Sequence, residues 1–222
     1  MRVVLLPGLD GTGALFEPLQ RALSCPATVV SYGSATTEAD HLACVALPDE
    51  PFVLVAESFS GSIAVQLADT PNLVALVLVA TFMRSPSVLP RWLGWLLAPV
   101  AAVMMTWAWL VRALLFSGQV SDDALERTRA VLTTVPRAAI IARLRIVFRR
   151  DTMALLAATK LPVLYVQALR DRLVPPRAGR AMQAALPTMQ RATIDAPHLV
   201  LQQRPAESAA LIESFIDRIA KA

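Results

Sequence analysis

Residues Phe52–Ala68 read FVLVAESFSGSIAVQLA. The first half is an unbroken apolar run, the mark of a strand buried on both faces. The second half is an apolar helical pattern that opens near Gly61. Between them stands Ser58, just beyond the predicted strand Pro51–Ala56. A serine between a buried strand and a helix is the pattern of a nucleophile carried on a strained turn. Such a turn requires small residues two positions to either side. Ala56 and Ser60 fill those places, where glycine is usual. Ser60 and Ser62 also have small neighbours at that spacing. Only Ser58 follows the strand directly and sets Gly61 at the first helix–strand contact.

The same alternation extends in both directions. Further strands are predicted over Arg2–Leu6, Ala27–Ser31, Leu73–Ala80, Pro162–Gln167 and Arg191–Ile194. Helical patterns cover Ala14–Leu23, Thr37–Leu47, Ser60–Asp69, Pro176–Leu186 and Pro205–Ala220. Buried strands alternating with helices predict an open, mostly parallel α/β sheet with helices on both faces. The alternation lapses once, so residues 1–82 and 161–222 are assigned to the core and 83–160 to a helical cap.

Within the cap, Trp92–Val111 has no charged residue, with Arg91 and Arg112 at its borders. Its length would span a bilayer. A span there would place the two halves of one sheet on opposite sides of a membrane, and Pro99 is expected to interrupt the helix. Apolar cap helices are therefore expected, with Trp92, Trp95, Met104, Met105 and Trp107 as candidate pocket residues. The segment could equally dip into a membrane surface or form a homodimer contact. Ser121 is placed to start one cap helix and Pro136 another. The second carries Arg137, Arg143, Arg145, Arg149 and Arg150, read as a solvated basic face or a docking face for an acidic carrier or lipid headgroups.

A serine nucleophile needs a base and an orienting acid. The chain has two histidines. His41 lies in a helical pattern and is read as a surface or packing residue. His198 follows the last strand, where a loop can reach back over the sheet. Asp171 follows the strand Pro162–Gln167 on the same sheet edge. Asp195, three positions before His198, and Asp10 are weaker candidates for the acid. Near the start, PGLDGTG (Pro7–Gly13) joins a strand to a helix. It could cradle a phosphate or face a developing oxyanion with backbone N–H groups. Its glycine spacing is not the dinucleotide fingerprint, and the next strand, in ATVVSYGS, ends without an acidic residue.

Composition adds boundaries. Of the 222 residues 55% are hydrophobic and 17% charged, and the formal net charge is +4. No basic run is interleaved with aromatics, so nucleic acid is not an expected partner. Cys25 and Cys44 form neither a disulfide framework nor a metal-ligand pattern, and no metal or cofactor is expected. No signal peptide precedes the first strand, which suggests a cytoplasmic protein, with membrane association through the cap left open.

The segments LLPGLDGTG, VLVAESFSG, LYVQALRDRLVP and DAPHLVLQQRPAESAALI together resemble the α/β-hydrolase superfamily. The layout is similar to cap-bearing serine carboxylesterases, including pimeloyl-carrier methyl esterases, and the AESFSG elbow to a bacterial subgroup of hydrolases. The resemblance implies a Ser58–Asp171–His198 triad in the usual chain order. It implies oxyanion N–H donors at Leu9 and Phe59, so that replacing Gly8 or Gly11 would distort that loop. Pro7 stands where these proteins often have histidine. Two leading antiparallel strands are missing, which implies a minimal sheet of six strands. The expected reaction is cleavage of a small-molecule or lipid-like carboxylic ester with an apolar acyl group. A thioesterase or acyltransferase would use the same triad, and a hydrophobic-ligand-binding homologue would retain only the shape.

Overall fold

Six parallel strands form a single sheet at the centre of the molecule. The structure is a computed structural model and describes residues 1–221. In chain order the elements are β1 (Arg2–Leu6), α1 (Glu17–Ala22), β2 (Ala27–Val29), α2 (Glu38–Ala43), β3 (Phe52–Glu57), α3 (Gly61–Ala64) and β4 (Leu73–Val79). Five helices follow: α4 (Arg91–Met104), α5 (Ala108–Leu115), α6 (Asp122–Thr134), α7 (Arg137–Arg149) and α8 (Met153–Ala158). The chain then completes the sheet with β5 (Val163–Ala168), α9 (Pro176–Ala185), β6 (Gln190–Ile194), α10 (Val200–Gln203) and α11 (Pro205–Ala220). The strand order is β2-β1-β3-β4-β5-β6, which puts β3 and its Ser58 turn near the middle.

The apolar runs form strands because both of their faces are covered. Along β1, β3 and β4, side chains alternate between two cores. Val3, Leu5, Val53, Val55 and Val77 pack with α1 and α11 through Leu19, Ile212 and Phe215. Val4, Leu6, Leu54, Leu76 and Leu78 pack on the other face with Ile63, Leu156 and Met182. Each strand lies within two residues of its predicted bounds. The helices depart further. Predicted Ser60–Asp69 is a single α-helical turn, α3, between 3₁₀ turns Ser58–Ser60 and Val65–Leu67. Predicted Thr37–Leu47 is the six-residue α2, started by a Thr37/Asp40 capping box.

The stretch read as the cap is mainly helical, with one isolated antiparallel bridge between Arg84 and Asp151. Ser121 caps α6, its side chain accepting from the Ala124 N–H, and Pro136 sits at the start of α7. Trp92–Val111 is not one helix: α4 and α5 diverge by 113°. The break follows Met104, whereas α4 runs through Pro99. Packing holds the helix across the lost hydrogen bond, since Ala98 and Ala102 on either side of Pro99 are buried. No single helix among the described residues is long and apolar enough to cross a membrane. Leu156 of α8 is fully buried in the core beside Leu54 and Leu76, so α8 belongs to the sheet's helical layer, within the stretch that the sequence assigns to the cap.

Candidate active site

Ser58 directly follows β3 and has φ = 50°, a left-handed conformation rare outside glycine. The surroundings hold it there. The Thr81 hydroxyl donates to the Ser58 carbonyl. Gly61 is needed alongside: a Cβ there would lie 2.1 Å from Thr81 Oγ1. Ser60 does more than stay small. Its hydroxyl donates to the carbonyl of Pro7 and pairs with Tyr32 Oη at 2.7 Å, tying the Ser58 turn to the loop after β1. Ser62 Oγ faces the protein, donating to the Phe59 carbonyl at 3.1 Å. Of the three serines, Ser58 alone lines the cavity described below.

Ser58 Oγ lies 2.9 Å from His198 Nε2. His198 Nδ1 lies 2.8 Å from Asp171 Oδ2. The other carboxylate oxygen, Asp171 Oδ1, accepts from the N–H groups of Leu173 (2.8 Å) and Val174 (2.9 Å). These bonds aim the carboxylate at the imidazole. Burial alone would pull the His198 pKa down; the charge and hydrogen bond of Asp171, with Glu57 behind them, outweigh it and raise it above 6.5. Asp195 is instead exposed and pairs with Arg170 at 2.7 Å. Asp10 accepts from the Thr12 N–H and hydroxyl at 2.9 and 2.7 Å, and so closes the glycine turn.

Leu9 and Phe59, the expected oxyanion donors, line the same cavity as Ser58. The Leu9 loop is held from the cap. Arg143 of α7, fully buried, donates to the carbonyls of Leu9 (3.2 Å), Asp10 (2.7 Å) and Gly33 (2.7 Å), and to His41 Nε2 (3.1 Å). The solvated basic face read from the sequence is therefore wrong for Arg143, and also for Arg150. Arg150 is buried, bonds Glu38 and the Ser62 hydroxyl, and lies over the Phe59 ring. These carbonyls, the Ser62 hydroxyl and Glu38 offset part of the cost of burying the two charges. His41 is the packing residue of the two readings: buried, edge-on to Tyr32 and Phe59, its pKa lowered by burial.

Gly8, Leu9, Ser58, Phe59 and His198 open onto a cavity of about 190 Å³. Its other walls are largely apolar, with Phe82, Leu110, Val111, Leu114, Leu144 and Val147 among them. Of the expected pocket residues only Met105 lines it. Trp92, Trp95, Met104 and Trp107 do not, and the three tryptophans are exposed. The cause is a turn of helix: α4 presents Gly94, Ala98 and Ala102 inward and its large side chains outward. Glu57, to which the sequence reading gave no role, is buried against the same cavity. Its Oε2 accepts from Gln202 at 3.1 Å, while Oε1 has no partner. Burial raises its pKa to about 7, against the pull of His198 and Gln202. Glu57 extends β3 by one residue beyond the predicted end, and its acidity beside a candidate nucleophile was the one local signal available.

A family model described as alpha/beta hydrolase family matches residues 3–211. The chain belongs to the alpha/beta hydrolase family. Solved structures agree on the fold. A hydrolase from Pseudomonas aeruginosa PA01 shares 20% identity with a TM-score of 0.81, covering 97% of this chain and 89% of that one. A thermophilic esterase from Thermogutta terrifontis shares 21% with a TM-score of 0.77, covering 99% and 90%. An enol-lactonase from Burkholderia xenovorans LB400 shares 19% with a TM-score of 0.76, covering 97% and 91%. No curated protein shows significant sequence similarity to the chain. The fold places the Ser58, Asp171 and His198 loops at the C-terminal ends of β3, β5 and β6, the edge where open α/β sheets bind ligands.

Proposed function

We propose that this protein is a serine hydrolase that cleaves carboxylic esters with an apolar acyl group. One observation carries the reading: the unbroken hydrogen-bonded chain Ser58–His198–Asp171 ends in a largely apolar cavity. In the proposed reaction His198 Nε2 takes the Ser58 proton as Oγ attacks the ester carbonyl. Asp171 holds the imidazole in the tautomer with the proton on Nδ1 and favours the imidazolium that forms. The N–H groups of Leu9 and Phe59 take the developing oxyanion, each worth ~3 kcal/mol of barrier. His198 then protonates the leaving alkoxide. Water, activated by the same imidazole, releases the acid from the Ser58 ester. The apolar walls favour an acyl chain over a charged one, because among the described residues no Lys or Arg lines the cavity to offset the cost of burying an anion.

Ser58→Ala is expected to lower turnover of a short p-nitrophenyl ester by at least ~10⁴-fold with the fold intact. A fluorophosphonate probe should label the parent at Ser58 and leave the variant unlabelled. Undiminished turnover in the variant would overturn the reading.

A further inference from the structure

The helix α4 is built inside out. Gly94, Ala98 and Ala102 face α7, so closely that a Cβ on Gly94 would stand 2.3 Å from the Phe148 ring. Trp92, Leu96 and Val100, four residues apart on the opposite face, are 68%, 58% and 55% exposed. An ordinary surface helix places its large apolar residues inward. The pattern continues around the bend, where Trp107 just before α5 and Trp109 within it are also exposed. All four tryptophans of the chain lie on this elbow.

Charge is distributed to match. With Arg143 and Arg150 buried, residues 83–160 still present nine Lys and Arg against four Asp and Glu, while the rest of the chain carries ten against thirteen. Arg91 opens α4, exposed, and Arg145 lies over the Trp95 ring at 4.1 Å. The inner side of the same elbow contributes Met105, Leu110, Val111 and Leu114 to the cavity that ends at Ser58.

We propose that the α4–α5 elbow seats the protein on an anionic membrane surface, with the tryptophans and aliphatic side chains at the headgroup level and the basic cap facing the lipid charge. A contiguous apolar face of this kind marks a binding surface. Tryptophan suits the membrane–water boundary, and nearby arginines add attraction to anionic lipid. A symmetric dimer through the elbow would bring two positively charged caps together, which disfavours a second copy as the occupant. The inference does not depend on the chemistry at Ser58.

The tryptophans report on this elbow alone, so intrinsic fluorescence is a direct probe. Added vesicles of equal parts phosphatidylcholine and phosphatidylglycerol should shift the emission to the blue and sediment the protein. Phosphatidylcholine alone should bind at least ~10-fold more weakly, and salt should weaken binding to the mixed vesicles. The variant Trp92→Ser/Leu96→Ser/Val100→Ser, checked for native circular dichroism, should lose at least ~100-fold in partitioning. An unchanged parent spectrum with the mixed vesicles overturns the proposal whatever the variant does. So does equal binding by a folded variant, or a stable parent dimer that the three serines dissolve.

Discussion

Arg143 and Leu9 are 134 residues apart in sequence, and the guanidinium of one donates to the carbonyl of the other at 3.2 Å. Helix α7 thus holds the loop that carries Leu9, the proposed oxyanion donor. Turning the Leu9 carbonyl toward Arg143 turns the neighbouring peptide planes with it, and so sets the aim of the proposed oxyanion donor. Arg143→Met should lower kcat on a short soluble ester by ~10–100-fold with a smaller change in KM, since the donor matters most in the transition state. It should also cost ~2 kcal/mol of stability by leaving the buried Asp10 carbonyl, and the less buried Leu9 and Gly33 carbonyls, short of a donor. Arg143→Lys should recover part of the stability and less of kcat. Equal kcat in a folded Arg143→Met protein would show that the loop aims itself.

The two glycines of the first loop differ in what they tolerate. Gly11 has φ = 67°, and a Cβ there would stand 2.3 Å from Arg143 Nη1. Gly8 has room, its nearest neighbour being Asp10 Oδ1 at 3.6 Å. The expectation that both are needed is thereby narrowed to Gly11. Thermal unfolding should show Gly11→Ala destabilised by at least ~2 kcal/mol, from strain and overpacking together, and Gly8→Ala by less than ~1. Equal losses at the two sites would contradict this assignment.

Asp171 and Asp195 offer a paired test of the acid. Asp171→Asn keeps the shape of the side chain but removes the charge beside His198, and should cut kcat/KM by ~10³–10⁴-fold. Asp195→Asn should stay within about twofold, since the exposed Arg170 pair it removes contributes little. A severe loss in the Asp195 variant would move the acid there.

The pH profile follows from His198, which must be neutral to take the serine proton. Its pKa is raised, chiefly by Asp171 once the opposing effect of burial is overcome, and Glu57 adds to the rise. The acid limb of kcat/KM should therefore have its midpoint above 6.5. Glu57 itself ionises only at about pH 7, so Glu57→Gln, which removes the part of that charge present near the midpoint, should move it downward only modestly. A midpoint at or below the ordinary histidine value in the parent would refute the electrostatic argument.

Glu57 also affects stability. Its carboxyl keeps a proton to about pH 7 when folded, against an ordinary value of 4.5. The folded state binds that proton more tightly, so stability declines as pH climbs from 4.5 to 7 and stays lower above, by ~3 kcal/mol at most. Glu57→Gln should match the parent near about pH 4 and exceed its stability by up to that amount at about pH 8, as denaturant titrations would show. A parent no less stable at the higher pH, relative to the variant, would argue against this account.

What the sequence by itself determined was the local pattern and its order. Apolar runs bounded by Gly, Pro and Asp have the period and length of buried strands, and a strand can be placed from its own residues. Ser58, Asp171 and His198 were legible for the same reason: each follows a strand or its loop at one sheet edge, and short connections bring such positions together. Only the tertiary structure decided which way the cap helices turn. The inward face of α4 is chosen by how closely α7 approaches, which favours Gly94 and Ala98 there over tryptophan, and nothing within Trp92–Val111 states that distance. Likewise Arg143 looks like any solvent-facing arginine until His41, Leu9 and Gly33, each more than a hundred residues away, are folded around it. Burying its charge is tolerated only when those acceptors arrive together, and that condition belongs to the assembled fold.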